Sequence, residues 1–333
     1  MKNYYHVQDI AHDSFHLSKN KNMENKILGL HHITAIASNA KQNLDFYTNV
    51  LGQRLVKKTV NFDDPGTYHF YFGDEVGTPG SILTFFPWAG VRKGKNGAGM
   101  ATAIGYSVPK DSLEFWQDRF KKFNVKQEEI TELFGEKYLP FEDPDGLKLH
   151  FIISDKEDKR KPWETSEVKA DAATKGFHSV TLTLRNATPT ASVLTDILGY
   201  KLLKQEGNNY RFVTDSIENA SIVDIIEVPN GTAGINSAGT NHHVAFRVKD
   251  DTILMDYREK VLSKGLNITP KIDRDYFFSL YFREPGGVLF ELATDNPGFT
   301  KDESLSELGT HLKLPKQYES ARAEIEKVLP DLN

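Results

Sequence analysis

The sequence predicts an α+β chain in which four βαβββ units pair into two barrel-like curved sheets. Three observations carry this expectation. Four segments open alike: GLHHITAIASNA (29–40), GAGMATAIGYSV (97–108), GFHSVTLTLRNA (176–187) and TNHHVAFRVKDD (240–251). Two units also close alike, with LPFEDPDGLKLHF (139–151) and LYFREPGGVLFEL (280–292). Each opening leads into a helix signal and then strand-like runs, so the period is a duplicated supersecondary unit rather than a solenoid repeat. One such sheet has a face it cannot leave to water, and pairing two units encloses that face as a cavity.

Taken in order, residues 1–27 read as a polar N-terminal extension. The N-terminal half, 28–154, holds two units. In the first, LGLHHITAIAS alternates as a strand. NAKQNLDFYTNVLG then reads as a helix with Asn39 as cap and Gly52 as stop. The runs RLVKKTVNF, TYHFYFG and SILTFF read as three strands. In the second unit, DSLEFWQDRFKKF is the helix and GLKLHFII the last strand. Residues 155–175, charged and carrying Pro162, read as the linker. The C-terminal half, 176–297, repeats the pattern. Its helices are TASVLTDILG and DTILMDYREKVLSKG, and its last strands are SIVDIIEV and GVLFELA. A tail, 298–333, carries a helical pattern in QYESARAEIEKVL.

Inward positions alternate along a strand, so a polar residue recurring at one repeat position points into the cavity. Aligned openings place His32, Met100, Ser179 and His243 in one slot. Counting four residues from the turn glycine or its equivalent places Thr84, His150, Asp224 and Glu291 in a second. Pairing units 1 and 2 gives no carboxylate, and pairing units 3 and 4 gives one histidine. Pairing 2 and 3 leaves Met100, His150, Ser179 and Asp224. Only units 1 and 4 supply two histidines and a carboxylate, His32, His243 and Glu291, with Thr84 as a weak fourth group. That is the facial set of non-haem Fe(II) sites, which leaves positions open for substrate and O2. The outer units are therefore expected to enclose the metal and the inner pair to be structural. Mn(II) or Zn(II) fits the same ligands.

Each residue also has an ordinary reading. A buried strand histidine is usually a packed, hydrogen-bonded residue, and a strand-end glutamate a surface charge; coincidence at equivalent repeat positions favours ligation. His150 and Asp224 lack partners and read as vestigial or structural. His69 reads as either a pocket residue or an ordinary strand residue, with the ordinary reading favoured, and His6, His12 and His16 read as part of a solvated tail.

Composition narrows the function classes. The chain has 333 residues, no cysteine, and 41 basic against 46 acidic residues, a formal charge of −5. Without cysteine there is no disulfide, iron–sulfur ligation, Cys-type zinc site or thiol nucleophile. The mild acidity gives no support for nucleic-acid or membrane partners. No apolar run approaches the ~20 residues that span a bilayer. No signal-peptide h-region is read, and cytoplasmic residence is the default expectation.

The signature LHHIT…LDFYTNVLG resembles the vicinal oxygen chelate superfamily of glyoxalases, bleomycin-resistance proteins and extradiol dioxygenases. The chain is most similar to hydroquinone-type ring-cleaving dioxygenases. The motifs that carry the likeness are 30–88, GTNHHVAFRV, DRDYFFSLYFREPGGVLFELATDNPGF and LPKQYESARAEIEKVLP, which span most of residues 28–330. The resemblance implies Fe(II) on His32, His243 and Glu291, a small aromatic substrate and O2. It also places His31, Thr34, His242, Arg274 and Tyr281 around the pocket as catalytic candidates. The residues alone favour a surface salt bridge for Arg274 and a core aromatic for Tyr281. Tyr281 and His242 are expected to handle protons and Arg274 to stabilise negative charge; Phe278 lines the pocket or packs the core. No organic cofactor is implied, and the sequence leaves open a homo-oligomer. Two rivals remain: a glyoxalase-type zinc or nickel lyase or isomerase, and a non-catalytic protein that sequesters an aromatic compound.

Overall fold

The structure, a computed structural model, describes residues 26–154 and 156–332. Most of the N-terminal extension, with His6, His12 and His16, lies outside the described residues. Sixteen strands form two eight-stranded sheets. In chain order they are β1 (Leu30–Ala37), β2 (Arg54–Asn61), β3 (Asp64–Gly73), β4 (Ile82–Pro87), β5 (Met100–Ser107), β6 (Thr131–Leu133), β7 (Glu136–Glu142) and β8 (Lys148–Ile153). There follow β9 (Phe177–Leu184), β10 (Lys201–Glu206), β11 (Asn209–Val213), β12 (Ile222–Glu227), β13 (Thr240–Val248), β14 (Ile272–Asp273), β15 (Phe277–Arg283) and β16 (Leu289–Pro297).

The first sheet runs β14-β15-β16-β13-β1-β4-β3-β2, and the second β10-β11-β12-β9-β5-β8-β7-β6. Units 1 and 4 thus share one sheet and units 2 and 3 the other, as the ligand count requires. The seams are antiparallel: β1 pairs with β13 and β5 with β9. The strand LHHITAIA is buried along its whole length because one face lines the cavity and the other meets the core. That double burial hides the usual in–out alternation of polarity.

Helices pack outside the sheets. In unit 1, α1 (Ala40–Asp45) starts at Asn39, whose Oδ1 accepts from Gln42 N at 2.9 Å. It loosens into a π-type turn over Phe46–Val50 rather than continuing as the regular helix the sequence suggests. Next, α2 (Leu113–Lys122) buries Leu113, Trp116 and Phe120. The helix α3 (Ala187–Ser192) again ends in a π-type turn, Val193–Ile197, whereas α4 (Asp251–Ser263) is regular. The tail ends in α5 (Arg322–Val328). The tail is tied to β2 through the fully buried Lys57, whose Nζ donates to Asp302 Oδ1 at 2.6 Å and also to Glu303 Oε2.

The two sheets meet tightly. Gly29 has φ +76°, and a Cβ there would stand 2.4 Å from the Ala220 carbonyl oxygen, which accepts from Leu30 N. Only glycine meets both demands at the entry to β1.

One slot is corrected by the register. His150 pairs with Gly105, as Thr84 pairs with Thr34. Across the seams, Ser179 faces Gly105 and His243 faces Thr34. Both relations make Ala103, not Met100, the unit-2 counterpart of His32. A register shift between Ala101 and Ala103 displaces the count.

Candidate metal centre and its cavity

His32 on β1, His243 on β13 and Glu291 on β16 come together in the first sheet, all buried. Glu291 Oε2 lies 3.2 Å from His32 Nε2 and 2.9 Å from His243 Nε2, and the two Nε2 atoms are 3.3 Å apart. Bonds of about 2.1 Å to one ion would set donors about 3.0–3.4 Å apart, and the three separations lie close to that spacing. Although Oε2 is this close to two imidazoles, it makes no hydrogen bond of acceptable geometry and is buried. A buried carboxylate oxygen without a hydrogen-bond partner is costly, and a cation held jointly with the two Nε2 atoms would satisfy it. The donor set therefore fits a divalent ion.

The surrounding bonds orient these atoms. Ser279 Oγ donates to Glu291 Oε1, leaving Oε2 for the centre. His32 Nδ1 meets His31 Nδ1 at 2.9 Å, and His31 Nε2 meets the Thr294 carbonyl at 3.0 Å. Ligation through Nε2 puts the His32 proton on Nδ1; His31 then accepts at Nδ1 and donates from Nε2. His243 Nδ1 meets His242 Nδ1 at 2.8 Å, so unit 4 repeats the device. Burial, and then His32, hold His31 well below the usual histidine range, while burial and His243 push His242 down to about 3. Burial pushes the Glu291 carboxyl up, but His32 and His243 outweigh it and hold it well below its ordinary value.

A cavity of about 360 Å3 opens over the ligands. Thr34, His242, Arg274 and Tyr281 line it; His31 does not, because it lies behind His32 against the Phe277 ring. Arg274 donates from Nε to Tyr281 Oη at 3.3 Å and from Nη1 to Asp63 at 3.3 Å, so it combines the salt bridge with a place on the wall. Burial, and then Glu291, raise the Tyr281 phenol, which stays protonated at neutral pH.

Two residues left with alternative readings are now placed. For His69 the pocket reading holds over the favoured ordinary one: it lines the cavity, with Nε2 2.9 Å from Thr84 Oγ1 and Nδ1 2.9 Å from Tyr71 Oη. Thr84 Oγ1 in turn meets Thr34 Oγ1 at 2.8 Å, completing a chain from Tyr71 to the wall beside His32. Of the two readings of Phe278 the packing one holds: it packs against the core with Lys271 over its ring, and its neighbour Phe277 lines the pocket. Strand alternation signals both. His69 and Tyr71 share one face of β3 while Phe70 and Phe72 take the other. Phe277, Ser279 and Tyr281 share the face of β15 that looks toward Glu291.

Comparison with known proteins follows the same lines. The model of the glyoxalase/bleomycin resistance protein/dioxygenase superfamily matches residues 29–151 and 176–292. The Bacillus subtilis protein named "Putative ring-cleaving dioxygenase MhqO" is 46% identical over 92% of this chain and 97% of its own. A chlorohydroquinone/hydroquinone 1,2-dioxygenase from Sphingobium indicum is 37% identical over 92% of this chain and 97% of its own. The crystal structure of a "putative dioxygenase" from Bacillus subtilis superposes with a TM-score of 0.89 at 45% identity, covering 92% of this chain and 98% of that one.

Proposed function

This chain belongs to the glyoxalase/bleomycin resistance protein/dioxygenase superfamily, among relatives named as ring-cleaving dioxygenases, and on that footing we propose that it opens the ring of a hydroquinone-like or catechol-like substrate with O2, at an Fe(II) ion held by His32, His243 and Glu291. The observation that carries the reading is Glu291 Oε2, without a hydrogen bond among the described residues and drawn together with two imidazole Nε2 atoms under a cavity sized for a single ring. Bound iron would supply Lewis acidity toward a phenolic oxygen and redox chemistry toward O2.

The protein's own residues do the rest. Phe86, Trp88, Phe277 and Leu289 give the cavity apolar walls that suit a planar ring and limit water. His242, neutral and engaged at Nδ1 by His243, presents its Nε2–H as a donor to oxygen carrying negative charge. Arg274 adds a fixed positive charge on the same wall. The chain Thr34–Thr84–His69–Tyr71 offers a path for a substrate hydroxyl proton from the cavity to the His69 imidazole. Burial, followed by His32 and His243, holds His69 well below the usual histidine range, so the imidazole rests neutral.

The test is oxygen uptake by anaerobically prepared, Fe(II)-loaded protein given hydroquinone or catechol. Stoichiometric O2 consumption with loss of ring absorbance is the expected result. No uptake with any dihydroxybenzene rejects the reading.

A further inference from the structure

The second sheet encloses a cavity of about 360 Å3, equal in volume to the one over the metal ligands. It holds no metal set. At the equivalent positions stand Ala103, His150, Ser179 and Asp224, and among the described residues His32, His243 and Glu291 form the one cluster of potential ligands. A guanidinium replaces the ion. Arg211 faces Asp224 in β11·β12 at the register position where Tyr281 faces Glu291 in β15·β16. Its Nε and Nη2 donate to the two Asp224 oxygens, both at 2.8 Å, and its Nη1 donates to Glu136. Phe134 covers it at 4.5 Å.

That arrangement sets the charge a guest can carry. All three Arg211 nitrogens are engaged, and two carboxylates, the buried Asp224 and the partly buried Glu136, stand beside them, so an anion meets no free cation among the lining residues inside. The exposed Lys148 marks only the rim. Deeper in, the hydrogen-bonding groups are neutral. Burial, and then Lys148, push His150 down to about 4, leaving a neutral imidazole with one donor and one acceptor. Among the described residues neither ring nitrogen has a hydrogen-bond partner, and the Tyr138 ring lies 4.8 Å from the imidazole, a flat apolar surface beside a polar anchor. Asn96 Oδ1 on this wall is buried and also without a hydrogen bond among the described residues. The volume sits at the lower end for small-molecule sites, ~300–1,000 Å3, which suits one ring.

We propose that this second cavity is a non-catalytic binding site for a neutral, single-ring hydroxylated aromatic, anchored by its hydroxyl on His150. The site is independent of turnover at the metal centre.

The probe is hydroquinone, titrated by calorimetry under nitrogen into full-length, metal-stripped protein. One equivalent should bind, and His243→Ala should leave that binding unchanged. His150→Leu should weaken it about tenfold, the cost of one good hydrogen bond at 1.4 kcal/mol per decade. His150→Gln, which keeps a donor and an acceptor, should retain most of it. Ala103→Leu, which fills the cavity and leaves His150 in place, should match the loss and covers the case of a misfolded His150→Leu. The anionic probe 4-hydroxybenzoate should bind at least about tenfold more weakly than hydroquinone. Three results overturn the proposal: no binding to metal-free protein, binding indifferent to both cavity variants, or equal affinity for the anion. None of them bears on oxygen uptake at the metal centre, so the two readings fail separately.

Discussion

Replacing Glu291 by Gln separates a metal ligand from a structural carboxylate. The amide keeps the shape and an oxygen for Ser279 Oγ to donate to. What is lost is the charge on Oε2, the atom that has no hydrogen bond to forfeit. In metal-free protein the substitution removes a charge that His32 and His243 favour, so a modest cost is expected there. In metal-loaded protein the cost is larger. Loss of a group that hydrogen-bonds a metal ligand costs about 10–100-fold in metal affinity, and loss of the anionic ligand itself should cost at least about 100-fold. At a free metal concentration near 100 Kd the native protein gains about 2.7 kcal/mol, while a variant with 100-fold weaker affinity gains about 0.4 kcal/mol. At roughly 2 °C per kcal/mol for a chain of this size, the metal-induced rise in Tm should fall from about 5 °C to about 1 °C. Differential scanning calorimetry with and without Mn(II), and with Fe(II) under nitrogen, reads the effect. A variant that keeps the full metal-induced rise, or loses equal stability with and without metal, refutes the assignment.

Ser279→Ala removes the hydrogen bond that turns Oε2 toward the centre and should weaken metal binding about 10–100-fold, read by competition with a chelating dye; it also strips the buried Oε1 of its donor and should lower the metal-free Tm. Lys57→Met strands the buried Glu303 and should cost about 3–5 kcal/mol in urea unfolding, a loss that Glu303→Gln in the same chain should partly restore. Asp143 is fully buried in the β7–β8 turn, and burial pushes its carboxyl up to about 7. Since this folded value lies above the unfolded one, its contribution is complete below about pH 4 and is lost as pH rises through 7, up to about 4 kcal/mol in all. Asp143→Asn should flatten that part of the stability profile between pH 4 and 7; an unchanged slope in denaturant titrations disproves it.

How far the sequence could be read depended on how each residue is placed. Glu291 and His243 were legible because their strands run parallel and adjacent, and repeat spacing carries such a register directly. His32 was legible because its strand is the seam to unit 4, where Thr34 faces His243. Ala103 was not, because a register shift inside β5 breaks the count while leaving the amino-acid pattern intact. His69 was only half legible, for another reason. It occupies no repeat slot, and its role comes from a neighbour, Thr84, brought beside it only when β3 folds against β4. The parity of His69 with Tyr71 carried the signal, but parity gives a face and not a partner. Gly52 and Gly199 follow the π-type turns with φ +68° and +75°, and a stop glycine carries no signal of the kind of turn that precedes it.

The substitution of arginine for tyrosine at one register position accounts for the difference between the two cavities. In the first sheet Tyr281 is uncharged, so the charge of Glu291 is left for something else, and Oε2 stays without a hydrogen bond. In the second sheet Arg211 neutralises Asp224 within the chain itself, through two bonds of 2.8 Å, and no external cation is needed. A covalently tethered cation requires no metal supply but cannot leave open coordination positions, so it can stabilise a wall and cannot activate a ligand. Duplicated units thus place opposite demands on the same slot: one sheet satisfies its carboxylate internally and keeps a quiet cavity, and the other withholds that satisfaction and keeps a reactive one. On this argument Tyr281→Arg should supply Glu291 with a guanidinium and abolish metal binding without unfolding the chain, read as loss of the metal-induced Tm rise with the metal-free Tm preserved; undiminished metal binding in that variant would show that the slot does not control occupancy.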